Sequence, residues 1–167
     1  MDGPFADILA ANRAYAAAFA LGDLAAPAAR ELAVLTCIDS RIEPLSMLGL
    51  QPGDAKIIRN AGARVTDDAI RSLVLAAALL HVRRIMVVQH TDCAMTCATD
   101  DEVREKIGQT LPGVDVSKFE PKAMTDQRFE LFADVQRLRT CSLLPDALSI
   151  AGFEYDVRSG RLTQLTD

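Results

Sequence analysis

The stretch "LAVLTCIDSR", residues 32–41, runs apolar to Leu35 and then delivers a thiol, a carboxylate and a guanidinium at Cys37, Asp39 and Arg41. A short apolar run closed by polar residues reads as a buried strand, so those three groups stand at its exit. Taken alone, the segment is equally well described as a buried structural cysteine followed by a surface ion pair, usually worth under ~1 kcal/mol. The remainder of the chain decides between the two descriptions.

Working outward, "ELAVLTC" (31–37) is a strand and "EPLSMLG" (43–49) a short helix, with Pro44 suited to its first turn and Gly49 to its end. "QPGD" (51–54) is a turn, and "AKIIRNAGA" (55–63) is a second strand running into a glycine-containing turn. "TDDAIRSLVLAAALLHV" (66–82) is a helix with Thr66 as N-cap and two acids in its first turn, its "LVLAAALL" segment (73–80) buried. "RRIMVVQH" (83–90) is a third strand. Thr99 and Glu102 have the spacing of a capping box, and residues 125–140 are helical, with a loop over 111–124 to which the sequence assigns no role. "GFEYDVRSGRLTQL" (152–165) alternates and turns at Ser159-Gly160, as a hairpin or a strand with a return.

Strands alternating with helices predict one α/β domain, its mostly parallel central sheet flanked by helices on both faces. The expected division is an N-terminal helical arm over 1–28, a core over 31–158 and a tail over 159–167. Phe5, Ile8, Leu9, Tyr15 and Phe19 share one face of the arm.

The 167 residues suffice for one domain without staples. A net charge of −5 recommends neither nucleic acid nor an anionic membrane as a partner. No apolar run approaches the ~20 residues that cross a bilayer. The N-terminus carries Asp2 and Asp7 where a signal peptide wants positive charge, which predicts a cytoplasmic protein. Four cysteines in a reducing compartment point to metal binding or burial rather than to disulfides.

Ligands of such sheets sit beyond the carboxyl ends of strands, near the switch in strand order. The first strand delivers Cys37 to that edge, and the third delivers His90 and, three residues on, Cys93. Two thiols and an imidazole form a Cys₂His set, which zinc accepts tetrahedrally with one position left over. Magnesium and calcium would want oxygen ligands.

"CIDSR", "RNAGARV" and "HTDC", in this order and separation, resemble the β-class carbonic anhydrases, most specifically from Ala33 to Cys93. The resemblance implies one Zn²⁺ per chain held by Cys37, His90 and Cys93, and reversible hydration of carbon dioxide to bicarbonate and a proton through a zinc-bound hydroxide. It implies that Asp39 accepts the hydroxide's proton in a hydrogen bond and that Arg41 holds Asp39. It also implies a closed state in which Asp39 becomes the fourth zinc ligand. Gly62 would belong to the substrate pocket, and the N-terminal arm would reach across to a second subunit in a homodimer or higher homo-oligomer.

Thiolate ligands donate more charge than histidines, so the bound water should ionise somewhat above the ~7 of histidine-ligated zinc. Ala94 departs from the glycine that this family usually carries after its second cysteine, and a methyl there could crowd the loop. Cys97 is expected to be buried on a short helical turn, and His81 to be structural, which leaves no imidazole shuttle. Two other functions share the same residues: hydrolysis of carbonyl sulfide or carbon disulfide on this scaffold, and a non-catalytic zinc-binding or thiol-sensing module.

Overall fold

A computed structural model describes residues 3–166. Met1 and Asp2 of the arm and Asp167 of the tail lie outside the described residues. The opening strand is β1 (Leu32–Cys37), and all six of its residues are buried, as in a strand covered on both faces. It lies inside a five-stranded sheet of order β2-β1-β3-β4-β5, where β2 is Ala55–Asn60, β3 Arg84–His90, β4 Ser149–Tyr155 and β5 Leu162–Gln164. The first four strands are mutually parallel, and β5 returns antiparallel to β4 through the turn at Ser159-Gly160. Strand order reverses direction between β1 and β3, which makes their carboxyl ends the switch-point crevice.

Helix α1 is Ala6–Ala17, α2 Pro44–Met47, α3 Asp67–Leu79, α4 Asp100–Thr110 and α5 Gln127–Arg139. Thr66 caps α3 by accepting the Ala69 N–H on Oγ1 at 3.3 Å. Thr99 and Glu102 form the reciprocal box that opens α4. On one sheet face Ala33, Leu35, Ile85, Val87 and Ile150 pack against Leu73 and Ala76 of α3 and Leu131, Val135 and Leu138 of α5. Helix α5 lies so close to β4 that a Cβ on Gly152 would stand 3.0 Å from Leu131 Cγ and 3.1 Å from Val135 Cγ2. A side chain at that position would push the helix off the sheet.

On the second sheet face the one-turn α2 packs through Leu45 and Met47, and Ile57, Met86 and Phe153 remain half-buried there. Against expectation, the segment 73–80 is buried on one side only: Leu73, Ala76 and Ala77 face the sheet, whereas Leu75 and Leu79 are exposed. No residue of α1 is buried. Among the described residues no helix is long and apolar enough to cross a membrane.

Candidate metal centre

Cys37 ends β1, His90 ends the adjacent β3, and Cys93 follows on the turn beyond. Their donor atoms all lie within 4.8 Å of one another, and the three residues are 4 %, 1 % and 1 % exposed in that order. His90 Nδ1 lies 2.9 Å from the Thr91 carbonyl oxygen. A carbonyl only accepts, so Nδ1 carries the proton and Nε2 keeps its lone pair. Buried Nε2 has no hydrogen-bond partner among the described residues. An orphaned imidazole nitrogen facing two sulfurs is costly in a protein interior and fits a soft divalent cation.

The two thiols support this fit. The hydrogen bond from Cys93 is the largest influence pulling Cys37 well below the ordinary thiol range, while the negative sulfur of Cys37 pushes Cys93 up. Without a cation the pair therefore keeps one shared proton, which a divalent ion would displace. Burial is the largest single influence on His90 and lowers it, but the negative Cys37 sulfur, the Thr91 carbonyl and the Asp39 carboxylate together outweigh it and raise it.

Arg41 grips Asp39 through two parallel contacts, Nε to Oδ1 at 3.0 Å and Nη2 to Oδ2 at 2.7 Å. This bidentate hydrogen bond, with that from the Arg41 backbone N–H, holds the Asp39 carboxyl well below the usual carboxylate range. Asp39 Oδ2 stands 3.9 Å from His90 Nε2, so one charged oxygen borders the space between the candidate ligands. The structure thus brings Cys37, His90, Cys93, Asp39 and Arg41 to one place.

Several neighbours are not singled out by the sequence. Asp92 takes the Arg41 Nη1 donor on Oδ2 at 2.7 Å and an Nη2 donor on its carbonyl at 2.9 Å, tying the two strand exits together. Arg59 braces the backbone at the β1 exit, donating to the carbonyls of Cys37 (2.9 Å) and Asp39 (2.7 Å). Asp92 sits inside the "HTDC" motif, yet its partner is 51 residues away, which spacing does not reveal. The loop 111–124 helps to enclose the centre, since Met124 is 1 % exposed and packs with Cys37, Cys93 and Ile42.

Gly62 occupies a 3-10 turn, Ala61–Ala63, at φ +74°, where its amide N–H points to Cys37 Sγ at 3.3 Å. An added Cβ would lie 3.0 Å from Met124 Cε and 3.3 Å from Met95 Cγ. Gly62→Ala is therefore expected to lower stability by about 1–3 kcal/mol through crowding and left-handed strain, read as a reduced urea midpoint with unchanged m-value. A midpoint equal to wild type would show that the turn accepts a side chain.

A model of the carbonic anhydrase family matches residues 32–162. The chain belongs to the β-carbonic anhydrase family. It is 36% identical to beta-carbonic anhydrase 1 of Mycobacterium tuberculosis over 160 residues, covering 96% of each protein. It is 35% identical to a carbon disulfide hydrolase of Acidianus sp., over 81% of this chain and 78% of that one. Among solved structures, the carbonic anhydrase of Streptococcus mutans superposes with a TM-score of 0.93 at 36% identity, covering 99% of each chain. An apo carbon disulfide hydrolase gives 0.74 at 31% identity, covering 94% of this chain and 89% of that one.

Two loop residues of this family member differ from what their sequence neighbours suggest. Ala94 opens the 3-10 turn Ala94–Thr96, is exposed, and is not among the left-handed residues, so its methyl leaves the loop uncrowded. Cys97 is exposed rather than buried. It caps the end of that turn, with its thiol directed to the Cys93 carbonyl at 3.6 Å. His81 is exposed past the end of α3 and lines a cleft of about 350 Å³ with Leu24, Pro27 and Asp54. That cleft lies at the opposite sheet edge from the candidate ligands.

Proposed function

We propose that this β-carbonic anhydrase family member catalyses the reversible hydration of carbon dioxide, using one zinc ion held by Cys37, His90 and Cys93. The observation that carries this is the buried, unpartnered His90 Nε2 beside two sulfurs, with an Arg41-held carboxylate oxygen 3.9 Å away. Zinc bound there would lower the pKa of a coordinated water from 15.7 toward ~7, providing a nucleophile near neutral pH.

The side chains do the remainder. Cys37 and Cys93 would give up their shared proton to hold the ion as paired thiolates. Asp39, ionised and immobilised by Arg41, would accept a hydrogen bond from that nucleophile and leave the nucleophile's free lone pair aimed at the carbon. Gly62, with Met95 and Met124 beside it, would form one wall of the substrate space. In a closed state Asp39 would itself become a ligand, and Arg41 would then compete for that carboxylate.

Near-complete alignment with carbonic anhydrases supports carbon dioxide over carbon disulfide, since the hydrolase relatives align over less of both chains. Hydrolysis of carbon disulfide or carbonyl sulfide remains the second reading because those relatives reach 35% identity. Stopped-flow hydration of carbon dioxide between pH 7 and 9, with zinc counted per chain, tests the proposal. Full zinc with no hydration, together with hydrogen sulfide release from carbon disulfide, selects the second reading. Full zinc with neither activity leaves a non-catalytic zinc module.

Proton export is expected to depend on solvent. Of the two histidines, His90 is 1 % exposed with Nδ1 committed to Thr91, and His81 lies at the far sheet edge. Turnover should therefore rise with external buffer concentration before levelling off. A rate indifferent to buffer would reveal an internal relay. The exposed apolar residues Phe5, Ile8, Leu9, Tyr15 and Phe19 of the arm, each 50 % exposed or more, support a homodimer or higher homo-oligomer. Cysteines that must stay as thiolates to hold a metal suit a reducing, cytoplasmic setting.

A further inference from the structure

Among the described residues, one backbone N–H outside the ligand loops is directed at a candidate metal ligand, that of Gly62 on Cys37 Sγ. The turn presenting it is held in an unfavourable shape. Gly62 at φ +74° is followed by Ala63 at φ +56°, a left-handed conformation that a residue with a Cβ adopts at a cost. Such a turn persists only if its surroundings over-determine it.

Asn60 and Arg64 provide that constraint. Asn60 Oδ1 accepts the Arg64 N–H at 2.8 Å, and Asn60 Nδ2 donates to the Arg64 carbonyl at 2.7 Å. The two bonds close a ring across the turn that requires a donor and an acceptor on one short side chain, which an amide has and a carboxylate or methyl lacks. The Arg64 side chain then anchors the turn to its neighbours. Nε donates to Asp134 Oδ2 at 2.7 Å, Nη2 to Glu130 Oε2 at 2.5 Å, and Nη1 to the Lys122 carbonyl at 3.0 Å. Asn60 also pairs with Cys37 in the strand register, and its carbonyl receives the Ile38 N–H at 3.1 Å, so clamp and ligand share the last rung of the sheet.

We propose that Asn60 is a positioning residue that locks this turn, aims the Gly62 N–H at Cys37 Sγ, and thereby sets how tightly the centre holds its metal. The proposal rests on the metal-binding part of the function given above. A thiolate that accepts a fixed N–H is both oriented and stabilised as the charged ligand, and partners of this kind typically contribute 10–100-fold to metal affinity. The hydrogen bonds of the Asn60 side chain go to the Arg64 backbone rather than to a candidate ligand's donor atom, so it acts through Gly62.

The test begins with the wild-type protein loaded with ¹¹³Cd. A scalar coupling from the metal to the Gly62 amide proton, relayed across the Cys37 sulfur, is expected in addition to couplings to the Cys37 and Cys93 β-protons. Asn60→Ala should abolish the Gly62 coupling and weaken zinc affinity roughly 10–100-fold, measured by competition with a chromophoric chelator, with the far-UV spectrum unchanged. Asn60→Asp keeps the acceptor for the Arg64 N–H but loses the donor, and should fall between. Cysteine couplings without a Gly62 coupling in wild type, or Asn60→Ala affinity within twofold of wild type, would overturn the proposal. If Asn60→Ala does not fold, the wild-type coupling and the Asn60→Asp affinity decide it. A metal that couples to neither cysteine overturns the centre itself, whereas a correctly coupled but inactive protein overturns only the reaction.

Discussion

Cys93→Ala protein is expected to emerge from dialysis with almost no zinc and no measurable carbon dioxide hydration, and wild type with one ion per chain. Cys93 is 1 % exposed, so solvent has no ready route to replace its sulfur. The remaining Cys37 and His90 offer two donors where zinc wants three from the protein. Cys97, four residues on, offers no rescue because its thiol is turned toward the Cys93 carbonyl at 3.6 Å on the exposed side of the turn. The loss should also appear as stability. At free zinc a hundredfold above Kd, binding to the native state contributes about 2.7 kcal/mol. For a chain of this size that corresponds to roughly 5–10 °C in Tm. A chelator should lower the wild-type Tm by that amount and leave Cys93→Ala unmoved. A stoichiometric ion in the variant would remove Cys93 from the ligand set.

Asp39→Asn should separate metal binding from turnover. We expect zinc content near one per chain and a hydration rate lower by about 10²- to 10⁴-fold, the usual worth of a positioned acid–base group. The amide is neutral, presents one acceptor, and cannot complete the two-pronged contact with Arg41. Arg41 would stay in place, since Asp92 holds it through two further contacts. Arg41→Lys retains the charge but not the fork, and should lose less than Asp39→Asn. The pH dependence has a definite sign. Arg41 depresses the Asp39 pKa, so the pair contributes stability above the ordinary carboxylate value of about 3.9 and loses it only as pH falls through the lowered one. Activity lost on acidification between pH 7 and about 4 therefore has another source, and stopped-flow profiles of wild type and Asp39→Asn should share that limb. An unchanged rate in Asp39→Asn would deny the carboxylate its role.

Much of the centre was legible because its chemistry is carried by residue types that strands place in fixed order. Cys37, Asp39 and Arg41 leave one strand, and His90 and Cys93 leave another, so a parallel sheet needs only to make the strands neighbours. The caps at Thr66 and Thr99 and the turn at Ser159-Gly160 were similarly local, each depending on residues three or fewer apart. Less legible were contacts that depend on how loops lean. The Asp92 carboxylate, the Arg59 brace and the buried Met124 are set by partners 20 or more residues away, and the exposed side of Cys97 by the turn it caps.

The sequence by itself determined the alternation of strands and helices, the sheet edge where chemistry collects, and the donor set that favours zinc. These follow from periodicity and from functional groups at strand ends, which are local quantities. Only the tertiary structure decided that β1 and β3 are adjacent, that His90 Nε2 is left without a partner, that Arg41 is shared between two aspartates, and that the Gly62 amide faces a sulfur. Each of these depends on packing between segments distant in the chain, where sub-ångström placement separates a hydrogen bond from a mere neighbour.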